Sequence, residues 1–127
     1  MPEVKSLRKQ LEEVLKSMEE ADPDIEGSAL VRTDGLVMAS AIHKDADESL
    51  IAAMSAALLN IGSRSVSELE RGALDKVIVS GTRGDVVLSG VGGEAVLSTI
   101  TRPGANLGLV LVEMKRTAGK LGTTLKG

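Results

Sequence analysis

The sequence predicts a single α+β domain with the element order α-β-β-α-β-β-β-α and a sheet covered on both sides. Three observations carry that expectation. Apolar residues recur at helical spacing in three segments, near both ends of the chain and in its middle. Between the first two of these lie two β-capable runs joined by Asp34-Gly35, the strongest short hairpin signal a sequence offers. Between the last two lie three more β-runs whose connections are too short for a parallel crossover, so neighbours must run antiparallel.

The first helix, about residues 3–20, places Val4, Leu7, Leu11, Val14, Leu15 and Met18 on one face and Lys, Arg, Glu and Gln on the other. Pro23, within ADPDIEG, stops it. IEGSALVRT and LVMASAI then form a hairpin over residues 25–42. In the polar loop HKDADES, Asp47 or Asp45 is suited to cap a second helix, about residues 48–69, with Glu48 near its positive end. That helix lacks a simple polar face. Leu50, Met54, Ala57, Leu58 and Ile61 form one stripe, and Ile51, Ala52, Ser55, Ala56, Leu59 and Gly62 form a second apolar or small-residue surface beside it. A helix covering only one sheet would keep that second surface charged. Burial on both sides is therefore expected, with the second cover supplied by another chain and the small residues permitting close approach.

Three strands follow at about residues 75–82, 85–91 and 94–102, turning at Thr82-Arg83-Gly84 and at Gly92-Gly93. The second turn fits a type I′ geometry with positive φ at both glycines. Val77 and Val79 alternate with Ile78, so apolar residues point to both faces and the sheet needs two covers. A third helix, about residues 106–121, aligns Leu107, Val110, Leu111, Met114, Ala118 and Leu121, with Asn106 as its cap and Lys115, Arg116 and Lys120 toward its negative end.

Composition narrows the functional classes. A chain of 127 residues, 43% apolar and 26% charged, has enough for one core and is neither disordered nor membrane-spanning by composition. It contains no Phe, Tyr or Trp, hence no stacking platform for bases, and its net charge of −3 lacks the electropositive footprint of a DNA binder. No nucleic-acid partner is expected. Without Cys there is no disulfide, thiol nucleophile or thiolate metal site. The start MPEVKSLRKQ has no signal-peptide core, and LIAAMSAALLNI reads as too short and too rich in Ser and Ala to span a bilayer. A cytoplasmic protein with no membrane insertion is the resulting expectation.

Several motifs invite sharper readings. Gly90, Gly92 and Ala95 satisfy G-x-G-x-x-G/A, but a dinucleotide cradle needs a helix next, and Val96-Leu97-Ser98-Thr99-Ile100 is strand chemistry. Arg83-Gly84-Asp85 reads as a turn rather than an adhesion tripeptide. His43 is the sole histidine, which rules out a His-pair metal site and favours a solvated loop residue. Ser63, Ser65 and Ser67 lack a G-x-S-x-G elbow. The acidic cluster Glu12, Glu13, Glu19, Glu20, Asp22 and Asp24 reads as a solvated helix face and its exit. No catalytic residue, cofactor site or metal site is expected. Arg64, Arg71 and Arg83 are candidates for an arginine finger supplied in trans, and each reads better as a surface arginine.

The hairpin ALVRTDGLVMAS and the segment GDVVLSGVGGEAVLSTITRPGANLGLVLVEMKR, with Ala105-Asn106-Leu107-Gly108 at the entry to the last helix, resemble the Roadblock family over nearly the whole chain. That family is named for a dynein light chain and is widespread as regulators of small GTPases. The resemblance implies a profilin-like sandwich: a five-stranded antiparallel sheet, the second helix on one face, the first and third on the other. It also implies a homodimer joined through the second helix and third strand. The residues expected at that interface are Ala52, Ser55, Ala56, Leu59 and Ser63 on the helix, with Val77, Ile78 and Val79 on the strand. The expected function is a non-enzymatic dimer that binds and regulates a small Ras-like GTPase. The alternative is a scaffold that pairs with another Roadblock chain, or with a signalling or motor component, without touching a GTPase.

Overall fold

A computed structural model describes residues 5–42 and 47–127, so His43 and Asp45 lie outside the described residues. The elements are α1 (Leu7–Ala21), β1 (Ile25–Arg32), β2 (Val37–Ile42), α2 (Glu48–Glu68), β3 (Lys76–Gly81), β4 (Gly84–Val91), β5 (Ala95–Thr101) and α3 (Leu107–Lys126). The strands form one antiparallel sheet in the order β2-β1-β5-β4-β3. This is the α+β sandwich that the element order and the family resemblance imply.

Alternation along the strands splits the core in two. On one face Leu30, Val87 and Leu97 meet Leu11, Leu15 and Met18 of α1 and Val110, Met114 and Leu121 of α3. On the other, Ala29, Val31, Leu88 and Val96 meet α2 through Ala52, with Ile51, Leu58 and Leu59 packed around them.

Side-chain caps fix the helix starts. The Ser6 hydroxyl accepts from Lys9 N–H and caps α1 at Leu7, while Val4 of the expected helix lies outside the described residues. Asp47 accepts from the N–H groups of Ser49 (2.9 Å) and Leu50 (3.4 Å), and Asn106 accepts from Leu109 N–H (3.2 Å). The far end of α2 uses Glu70 at φ +54°, while Arg71 N–H reaches back to Val66 C=O at 2.6 Å. Glycine commonly holds that left-handed position. In α3 the helix runs past the expected end at 121 to Lys126, because Leu121 and Leu125 still dock on the core. The hydroxyls of Thr123 and Thr124 bond back to the carbonyls of Gly119 and Lys120.

Both hairpin loops joining core strands are longer than a two-residue turn. Between β1 and β2 the chain uses residues 33–36, with Gly35 at φ +93°. Between β4 and β5 it uses Gly92, Gly93 and Glu94, and only Gly92 has positive φ, so the type I′ expectation fails. The reason lies in a neighbour: Glu94 C=O accepts from Thr33 N–H at 3.1 Å, which ties the two loops together. At the opposite end of the sheet Gly84 is required, since a Cβ there would sit 2.1 Å from the Thr101 carbonyl oxygen.

A polar staple joins the start of β1 to the entry of α3. Asp24 accepts from Arg102 Nε (2.5 Å) and from Asn106 N–H (3.0 Å), and its own carbonyl accepts from Arg102 N–H (2.9 Å). The Asn106 N–H foremost, and Arg102 after it, hold the Asp24 carboxyl below the usual carboxylate range.

Candidate interaction surface

The face of α2 turned from the sheet leaves apolar area uncovered, as Leu109 and Val112 of α3 also do. Leu50, Met54 and Ile61 are 56%, 52% and 64% exposed, and Ala57 between them is exposed too. Their spacing of i, i+4, i+7 and i+11 is the heptad seam of helices that pack side by side. From Met54 and Ala57 the apolar surface continues into a groove of about 480 Å³ between α2 and the sheet, floored by Val86 and Ile100 and edged by Val79. Val79 belongs to β3, the last strand of the sheet, whose outer edge has no partner strand among the described residues. Only Lys76, at its first position, guards that edge with charge, and Ile78 and Val79 are half-exposed there.

The expected interface residues divide three ways. Ala52 and Ser55, each 2% exposed, face the chain's own sheet, and Leu59 belongs to the same core cluster. Within this chain the small side chains of Ala52 and Ser55 let α2 lie close on its own strands, with Leu59 half-buried beside them. Gly62 does the same, a Cβ there falling 2.8 Å from Val77 Cγ2. Ala56 and Ser63 are half-buried and lie on the flank away from Met54, two residues being about 200° of helical turn. Val77 packs under α2, whereas Ile78 and Val79 keep exposed area at the edge. Of the first stripe named from the sequence, Leu50, Met54, Ala57, Leu58 and Ile61, Leu58 packs on the core cluster and the other four form an outward row. Its heptad spacing is the signal that would have found it.

By length and composition α2 is the one described helix long and apolar enough to cross a membrane, which the shorter run LIAAMSAALLNI did not suggest. Its Ala52 and Ser55 side nevertheless packs on the sheet, and Glu48 in its first turn accepts a hydrogen bond from the Ser40 hydroxyl of β2. Of the three arginines considered as fingers, Arg64 pairs with Glu68 of its own helix at 3.2 Å, and Arg83 sits in the β3–β4 turn. Among the described residues no group of three His, Cys, Asp or Glu side chains is arranged to hold a metal ion.

Comparison with known proteins agrees with this architecture. MglB of Myxococcus xanthus superposes with a TM-score of 0.86 at 17% identity, over 99% of this chain and 95% of that one. Profilin II of Acanthamoeba castellanii superposes with a TM-score of 0.62 at 12% identity, over 93% of this chain and 98% of that one. An uncharacterized protein of Methanocaldococcus jannaschii, MJ0310, is 32% identical over 97 residues, 76% of this chain and 84% of the relative. The Roadblock/LC7 domain profile matches residues 10–101, and the chain belongs to the Roadblock/LC7 family.

Proposed function

We propose that the chain is a cytoplasmic, non-enzymatic module that pairs with a second copy of itself and, as a dimer, binds and regulates a small Ras-like GTPase. One observation carries the pairing: a heptad-spaced apolar stripe on α2 runs without interruption into a groove that ends at an open strand edge. Such a stripe is complementary to another helix, and Ala57 in its middle lets two helices approach closely. Geometry supports the same reading. Five strands spaced about 4.8 Å span about 19 Å, twice the roughly 10 Å width of one helix, so α2 alone cannot cover its face. A second α2 would complete the cover while Ile78 and Val79 edges pair and extend the sheet. The interface residues of this proposal are therefore Leu50, Met54, Ala57 and Ile61 with the β3 edge.

Family membership supports the GTPase half, because resemblance to Roadblock proteins implies regulation of small GTPases. The dimer would present a continuous sheet backed by paired helices, and preferring one nucleotide state would bias the GTPase toward it. The test is to mix the purified protein with each small GTPase of its own cell, in GDP and GTP-analogue forms, and record binding and turnover. Nucleotide-dependent binding is the expected result. A dimer that captures only nucleotide-insensitive partners would establish the scaffold reading instead.

A further inference from the structure

The outer surface of the α1/α3 layer carries a charge that the rest of the chain does not share. On α3 four cations, Lys115, Arg116, Lys120 and Lys126, stand against one acid, Glu113, a balance of +3. The whole chain is at −3, so everything outside α3 stands at −6. With Val110, Met114, Thr117 and Leu121 buried, the opposite side of α3 presents Leu109, Val112, Arg116 and Thr123 at i, i+3, i+7 and i+14, all of them exposed.

Where α3 runs beside α1, this surface sinks into a groove of about 550 Å³, with Val14 of α1 on one wall and Arg116, Gly119, Lys120, Thr123 and Thr124 on the other. Its cations are not neutralised from within. Arg116 meets only Glu113, at 3.7 Å, and Lys120 has no ion pair among the described residues. The hydroxyl protons of Thr123 and Thr124 are already donated to the carbonyls of Gly119 and Lys120. On α1, Glu12 and Glu13 are held by Arg8 and Lys5.

We infer that this groove is a docking surface for an acidic amphipathic helix of a partner protein. Carboxylates of the partner pair with Arg116 and Lys120, while its apolar residues cover Val14, Leu109 and Val112. The outward row repeats at the spacing of helices that pack side by side, and Gly119, with nothing within 4 Å of a Cβ placed on it, lets a third helix come close over the α1–α3 pair. A flat anionic bilayer is a poorer match, because it takes up a helix through a continuous apolar face, and that face of α3 is buried in the core. α2 packs on the other side of the sheet, so the inference does not rest on the dimer reading.

The test uses the full chain and a fluorescently labelled helical peptide of roughly 18 residues, about five turns, with Leu at i, i+3 and i+7 spacing and Glu between. Its counterpart with Gln for Glu, and vesicles containing phosphatidylglycerol, are the competing probes. Anisotropy is expected to show saturable binding of the Glu peptide, tighter than the Gln peptide and weakening as salt rises. Arg116→Glu with Lys120→Glu should weaken it about tenfold or more, the scale of losing and reversing two exposed charge pairs. Lys9→Glu with Lys16→Glu makes the same change in net charge on the side of α1 away from Val14, and should alter binding by less than about twofold. All of these side chains are exposed, so melting temperatures close to the parent's guard against misfolding as the cause. Absence of saturable binding, equal affinity for the Glu and Gln peptides, unchanged affinity in the Arg116 and Lys120 variant, an equal loss in the Lys9 and Lys16 variant, or capture by the vesicles in preference to the peptide would each overturn the assignment. Light scattering on the same samples reads the oligomeric state separately, so a failed docking groove and a failed dimer are distinguishable.

Discussion

The two faces of the sheet differ in how completely one chain covers them. On the α1/α3 face, two helices bring Leu11, Leu15, Met18, Val110, Met114 and Leu121 onto Leu30, Val87 and Leu97, and all of these are buried. On the α2 face, one helix rests through Ala52 and Ser55 on Ala29, Leu88 and Val96, leaving a groove beside it and an apolar stripe above it. The first face is a finished core. The second is a core on one side and an uncovered apolar surface on the other, and the same helix borders both.

Four substitutions test that contrast. The largest effect belongs to the closed face: Leu97→Ala should cost about 2–5 kcal/mol of folding stability, read from urea unfolding. Next comes the open face, where Ala57→Arg should leave the fold intact but weaken self-association by about thirtyfold or more, an interface hot-spot effect of about 2 kcal/mol. Light scattering after size exclusion measures it; an unchanged dimer would remove the α2 seam from the interface. A smaller effect is expected at the end of α2, where Glu70→Gly should relieve the left-handed strain and stabilise by about 0.5–1 kcal/mol without altering assembly.

The last effect is confined to acid. Asp24 has a folded-state pKa below its unfolded value, so its stabilisation is present above about pH 4 and is lost as pH falls through the folded value. Asp24→Asn should be less stable than the parent near neutrality and should lack this part of the acid-induced decline. Thermal melts across the acidic range compare the two slopes, and parallel slopes would deny Asp24 its role in the staple.

The order of elements was legible because the connections are short and the apolar periods are clear. Thr82-Arg83, for example, leaves β3 and β4 no arrangement but antiparallel. The orientation of α2 was not. Leucine, isoleucine, alanine and serine occur nearly all round it, so periodicity could not say which side the sheet takes. Size complementarity decided: Ala52 and Ser55 let the helix lie close over β1 and β5, Gly62 lets it lie close on Val77 of β3, and the longer Leu50, Met54 and Ile61 were left outside. Loop details were hidden for a similar reason. The three-residue turn at Gly92 follows from the Thr33–Glu94 hydrogen bond, which links segments far apart in sequence. The end of α3 was misread because Gly122, Thr123 and Thr124 look like a terminus, while Leu125 still finds the core.

The sheet order also governs how the chain reaches this state. The β1–β2 hairpin and the β3–β4–β5 meander each form from sequence neighbours, but β1 and β5 lie side by side in the middle of the sheet, with Leu30 opposite Leu97. Closing that ladder brings distant segments together and carries the largest loop-closure entropy of the sheet's strand pairings. The centre of the molecule is thus the strand pairing with the greatest ordering cost, and the ladder that joins the two halves of the sheet also holds the most buried positions, Ala29, Leu30 and Val31 against Val96, Leu97 and Ser98.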